Sequence, residues 1–153
     1  MSKSAHRTPI RVYYEDTDSG GIVYYANYLK FAERGRTELL RSIGFDHRKM
    51  ADEYGLGFVV RRCCADYRKP ARLDDLLTVE TSLVKLAGAS AEMAQRVLIN
   101  DTILCELAVT LGLVDGTGRP RRFPDPVRAS LTDVMESGST GDNGPATDVE
   151  GKG

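Results

Sequence analysis

Tyr14-Glu15-Asp16-Thr17-Asp18-Ser19-Gly20-Gly21-Ile22-Val23-Tyr24-Tyr25-Ala26-Asn27-Tyr28 is where the chain changes period. Upstream, Ile10, Val12 and Tyr14 alternate with Arg11 and Tyr13, which predicts a first strand over 8–14. Downstream, Tyr28, Phe31, Ala32, Gly35, Leu39 and Ile43 share one stripe of a helix predicted over 26–43. Lys30, Glu33, Arg34, Arg36 and Arg41 fall on the opposite, polar face, with Arg34 and Glu38 spaced to pair. Gly44 is placed to close the helix in a left-handed conformation. Gly35 costs a helix about 1 kcal/mol relative to Ala, and close approach to a packed sheet is the expected compensation.

After a short helix or turn over 47–54, the chain is mostly strand: Phe58–Asp66, Leu76–Lys85, Ala91–Ile99 and Ile103–Val114. The joints are Arg68–Asp75, Ala87-Gly88-Ala89 and Asn100-Asp101, too short for crossover helices. One strand, one long helix and four meandering strands specify an α+β domain with a five-stranded antiparallel sheet on one helix. The expected domain spans 9–130, after a flexible segment 1–8 and before a Gly/Ser/Asp-rich tail, 137–153, expected to be disordered.

The 153 residues make one domain, and 41% hydrophobic content can build its core. No apolar run approaches the roughly 18 residues of a membrane span. Met1–Thr8 carries no apolar h-region, so no secretory leader is expected. A net charge of −1 argues against non-specific nucleic-acid binding. Cys63, Cys64 and Cys105 form neither a disulfide framework nor a zinc motif, so buried reduced thiols and a cytoplasmic location are expected. One of the adjacent pair could face the ligand side of the sheet. His6 and His47 adjoin no G-x-S-x-G serine and no metal-ligand spacing, so no nucleophile elbow, metal or redox cofactor is expected.

The Asp-rich loop carries the chemistry. A helix start has free backbone N–H groups made weakly positive by the helix dipole, and they can hold a carbonyl oxygen. The N–H of Tyr25, or that of Tyr24, is so placed. Asp18 can then attack that carbonyl or activate a water; it could equally cap a turn. Asp16, two residues away on an extended segment, faces the other side and reads as a structural acceptor of loop N–H groups. Gly21 and Tyr24 border the expected substrate pocket; Tyr14 could border it or pack on the sheet. Arg61, Arg62, Arg68, Lys69 and Arg72 form a basic group around the second strand, either a solvated surface or, at Arg68, Lys69 and Arg72, contacts for phosphates.

Asp16, Asp18, Gly21, Ile22, Val23, Tyr24 and Tyr25 match, in order, a motif of the form D-x-D-x-x-G-h-V-a-a. The chain in this respect resembles the 4-hydroxybenzoyl-CoA thioesterase family, and its Tol–Pal-associated acyl-CoA thioesterase branch, from about Pro9 to Pro124. That branch commonly has His at the position of Tyr25. The resemblance implies a hot-dog fold, hydrolysis of a small or medium acyl-CoA, and Asp18 as nucleophile or general base. It also implies a homodimer joined sheet edge to sheet edge, or a homotetramer, with sites at the subunit interface. A non-catalytic scaffold binding acyl-CoA or acyl carrier protein is the alternative it leaves open.

Overall fold

The computed structural model describes residues 5–141. β1 (His6–Arg11) leads through a 3-10 turn, Tyr14–Asp16, to the long helix α1 (Asn27–Ser42). α2 (His47–Lys49) runs on as a π-helical turn, Met50–Tyr54. β2 (Leu56–Tyr67), β3 (Leu76–Leu86), β4 (Ser90–Ile99) and β5 (Thr102–Asp115) follow, and α3 (Asp125–Gly141) completes the order. The five strands form one antiparallel sheet in the order β1-β3-β4-β5-β2, the expected α+β architecture.

Three boundaries differ from expectation. β1 begins earlier and stops at Arg11, because the following turn is stabilised locally: the Asp16 carboxylate accepts the Tyr13 N–H at 2.8 Å. Of the expected flexible segment, His6, Arg7 and Thr8 are paired with Thr81, Glu80 and Val79, while residues 1–4 lie outside the described residues. At the other end, α3 was not expected. Val127 and Leu131 are buried and Val134 and Met135 partly so, a helical stripe that packs α3 onto the core. The helix reaches Gly141, so 137–141 of the expected disordered tail are helical and 142–153 lie outside the described residues.

The core lies between α1 and the inner face of the sheet. α1 approaches so closely at Gly35 that an added Cβ would stand 2.6 Å from Val79 Cγ1 and 2.9 Å from Thr81 Oγ1. Gly44 closes the helix with a φ of +87°, and Phe45 N–H donates to Leu40 O. Arg36, expected on the polar face, is buried at 9% exposure and donates Nη1–H to Gln95 Oε1 at 3.0 Å. Glu38 takes Arg41 at 3.3 Å rather than Arg34. The outer face carries a charge ladder. Glu80 sits between Arg7 and Arg96, its cross-strand neighbours, and Arg96 stands opposite Glu106 on β5.

The cysteines divide. Cys105 is buried, but Cys63 and Cys64 are exposed, contrary to the expectation for all three. They lie on β2, the last strand of the sheet, which has a neighbour on one side only. Most of its residues are exposed on both faces.

Candidate active site

The Asp-rich loop folds back on itself. Thr17 and Val23 form an isolated antiparallel bridge, and Asp18 N–H donates to Ile22 O at 2.9 Å. Gly21, at a φ of +81°, makes the reversal, a backbone conformation that other residues adopt only with strain. Asp18 is thereby returned beside the segment entering α1. Its Oδ1 accepts Gly20 N–H at 2.9 Å and Ile22 N–H at 3.4 Å. A Cβ at residue 20 would stand 3.3 Å from that oxygen, so Gly20, the first glycine of the pair, leaves room for the turn. Oδ2 has no hydrogen bond among the described residues, and Asp18 is exposed.

Asp16 does the structural work. It is 8% exposed, and its Oδ2 accepts the Tyr13 N–H. Its carbonyl accepts both Tyr24 N–H at 3.1 Å and Asn27 Nδ2–H at 2.8 Å, which fastens the loop to the first turn of α1. Tyr24 N–H is therefore occupied, whereas the N–H groups of Tyr25 and Ala26 have no acceptor among the described residues. Asn27 N–H donates to Tyr24 O, so the free donors sit at the mouth of the helix.

A second loop, 68–75, supports the first. Val23 N–H donates to Ala71 O at 2.8 Å and Leu73 N–H to Gly21 O at 3.3 Å, and Ile22 bridges Arg72. Ala71 N–H donates to the buried Tyr28 hydroxyl at 2.8 Å. Burial pushes the Tyr28 phenol pKa up against that bond, so the hydroxyl stays protonated. Arg72 is thus brought next to the Asp18 loop. Arg68 is held by Glu106 at 2.8 Å and Asp66 at 3.4 Å, and Lys69 follows it with its N–H on Leu104 O.

The tyrosines separate as well. Tyr24 and Tyr25 are half-exposed with ring centroids 5.0 Å apart, and Tyr25 meets Tyr67 edge-on at 5.8 Å. Tyr67 also packs on Tyr28 at 5.7 Å. Tyr14 is 82% exposed and joins no aromatic contact, so it stands outside this group. Asn27, Tyr28 and Tyr67 were not singled out from the sequence. Asn27 at a helix start is a signal that could have been used, since its amide is suited to tie a preceding loop. Tyr67 carries no local signal.

The loop thus carries a carboxylate oxygen without a partner and leads into two unpaired N–H groups; a carboxylate can attack, or direct water onto, a carbonyl whose oxygen such groups hold. Among the described residues no cluster of His, Cys, Asp or Glu is placed to hold a metal ion. No helix there is long and apolar enough to cross a membrane.

A family model for the thioesterase superfamily matches residues 20–106. The acyl-CoA thioesterase YbgC of Haemophilus influenzae is 46% identical over 124 residues, 80% of this chain and 91% of that protein. The acyl-CoA thioester hydrolase YbgC of Escherichia coli is 41% identical over 133 residues, 86% of this chain and 98% of that protein. A probable thioesterase from Bartonella henselae, solved by crystallography, superposes with a TM-score of 0.77 at 41% identity, covering 78% of this chain and 99% of that one.

Proposed function

The chain belongs to the thioesterase superfamily and hydrolyses acyl-CoA thioesters, and we propose that Asp18 delivers the attack while the free N–H groups at the start of α1 hold the thioester oxygen. The observation that carries this is the state of the Asp18 carboxylate. Oδ1 is fixed by two backbone N–H groups, so Oδ2 is oriented and free.

As a nucleophile, Oδ2 adds to the carbonyl carbon, the C–S bond breaks, and CoA leaves as a thiolate that takes a proton from water. Water then hydrolyses the resulting anhydride and regenerates Asp18. As a general base, Asp18 removes a proton from the attacking water, and the same C–S bond breaks. In both, negative charge develops on the carbonyl oxygen and is met by Tyr25 N–H and Ala26 N–H. Neither route draws on a metal or redox cofactor. The Tyr25 side chain is not needed for this donation, so an aromatic residue is compatible with it. Tyr24, Gly21 and Tyr25 border the reacting centre, and Tyr14 stands apart from them. Arg72 and Lys69 are the cations for the CoA phosphates, flanked by Arg68 on its two carboxylates.

The test is thiol release across a panel of acyl-CoAs, wild type beside Asp18→Asn. Asn keeps an Oδ1 acceptor, so the loop turn survives, while kcat falls by about 10²- to 10⁴-fold and acyl-CoA still binds. Turnover within a few-fold of wild type would remove Asp18 from the chemistry. Acyl carrier protein presents the same thioester and belongs in the same panel.

We further infer a homodimer through the β2 edge, alone or doubled to a tetramer. β2 is twelve residues long, has one strand neighbour, and exposes Val59, Val60 and Tyr67. Such an edge is ready to pair. A monomeric mass by ultracentrifugation at assay concentration would exclude it. The three unpaired cysteines support a cytoplasmic location.

A further inference from the structure

On a helix of 3.6 residues per turn, Leu29, Ala32 and Arg36 share one flank of α1, and Tyr25 stands in the turn that enters it. Tyr67, Ala65 and Cys63 alternate along β2 and share one face of the sheet. The two rows meet at the Tyr25–Tyr67 and Tyr28–Tyr67 contacts. From there four helical residues advance about 6 Å and two strand residues about 6.7 Å, so Tyr28, Ala32 and Arg36 keep pace with Tyr67, Ala65 and Cys63. Burial pushes the Arg36 guanidinium pKa down, and Glu33, one turn earlier on α1, and then Cys63 act on it in the opposite direction. Leu29, Cys63 and Tyr67 are exposed. An acyl group held by the donors near Tyr25 would run between these two rows toward Arg36.

Arg36 is unusual for such a place. The residue is buried, at 9% exposure, and its hydrogen bond among the described residues goes to Gln95 Oε1. Gln95 is itself fixed, donating Nε2–H to Ala32 O at 2.8 Å and to Thr81 Oγ1 at 2.9 Å. Among the described residues no carboxylate lies within ion-pair distance of Arg36. A largely desolvated cation with a neutral partner favours an incoming anion, and a guanidinium suits a carboxylate in particular.

We propose that Arg36 closes the far end of the acyl path and selects acyl groups that end in a carboxylate. This rests on the thioesterase reading above and names its substrate class. From Tyr25 to Arg36 is about 16 Å along α1. The Arg side chain leans back toward the helix N-terminus by about a turn, leaving about 10 Å, the length of an acyl group of roughly six to eight carbons.

The experiment measures kcat and KM for two matched pairs, hexanoyl- against adipoyl-CoA and octanoyl- against suberoyl-CoA. Wild type, Arg36→Met, Arg36→Lys and Asp18→Asn are compared. Wild type is expected to prefer the carboxylated member by about tenfold or more in kcat/KM. Arg36→Met should reverse that preference, chiefly through KM of the carboxylated member, and Arg36→Lys should keep part of it. Equal kcat/KM for wild type on both members overturns the proposal, whether or not Arg36→Met folds. So does an Arg36→Met enzyme that loses both members by the same factor. The two readings fail differently: full turnover by Asp18→Asn sinks the catalytic assignment, whereas turnover without preference sinks only Arg36.

Discussion

Replacing Gly35 by Ala tests whether α1 is seated on the sheet as closely as the structure places it. Intrinsic helix propensity alone would make Ala better by about 1 kcal/mol. Against that, the new Cβ would meet Val79 Cγ1 at 2.6 Å, Thr81 Oγ1 at 2.9 Å and Gln95 Nε2 at 3.2 Å. Val79 and Thr81 are on β3 and Gln95 on β4, all three are buried, and Gln95 is held by three hydrogen bonds. None can swing into solvent, so the helix itself must lift. Overpacking of this kind costs about 1–3 kcal/mol, and with the propensity gain subtracted a net loss of up to about 2 kcal/mol remains. For a chain of this size that is a Tm lower by up to about 8 °C. Because the donors near Tyr25 ride on the same helix, kcat should also fall. Thermal melts and thiol-release kinetics read both quantities. A Gly35→Ala protein as stable as wild type, with unchanged kcat, would refute the close seating.

Tyr28→Phe leaves the buried Ala71 N–H without its acceptor, which costs about 1–3 kcal/mol. Since Ala71 O holds Val23 N–H in the Asp18 loop, kcat should drop with the Tm; an unchanged melt would show the bond to be dispensable. Cys105 gives a pH signature. Burial pushes its thiol up to about 12, while in the unfolded chain it titrates near its ordinary value of about 8.5. The folded state thus keeps a proton that the unfolded state loses, so this contribution is intact below about pH 8.5 and declines up to about pH 12, by at most about 1.4 kcal/mol per pH unit. Denaturant melts should show a shallower alkaline decline in Cys105→Ala than in wild type, and parallel curves would refute the assignment.

The four long strands were legible within two residues at every boundary, because alternation and turn chemistry agree there: Asn100 takes a positive φ at the β4–β5 turn, as a hairpin Asn should. The stripe on α1 was legible for the same reason. Arg36 was not, because periodicity sorts residues by polarity, and a buried cation on a helix flank reads as surface. The clue lay on β4, where Gln95 occupies an inward position between Met93 and Val97, both buried. A polar residue in an apolar row needs a partner. α3 has a readable stripe, Val127, Leu131, Val134 and Met135, but it starts amid prolines and runs into Ser- and Gly-rich sequence that suppresses local propensity. The Asp18 loop was legible as a motif. That Tyr24 N–H is occupied and Tyr25 N–H free depends on where the Asp16 carbonyl comes to rest, which no local pattern encodes.

Two carboxylates with one residue between them acquire different roles from their partners alone. The Asp16 side chain is buried and accepts the Tyr13 N–H, and its carbonyl takes two further donors from the entrance of α1. Replacing the side chain would free the Tyr13 N–H, while the backbone carbonyl that holds the entrance of α1 would remain. Asp18 is exposed, with one oxygen fixed and the other free. A loop with a single buried apolar anchor, Val23, would ordinarily be mobile, since little apolar surface holds it. Here the restraint comes from hydrogen bonds on both sides, to α1 through Asp16 and to the 68–75 loop through Val23 and Gly21. The carboxylate and the donors it must face are therefore fixed to the same helix and move together. In the proposed reaction this would fix the carbonyl on one side and leave the acyl group open toward the β2 edge. A second chain at that edge, where the sheet has no further strand, would cover the acyl group and shut out water.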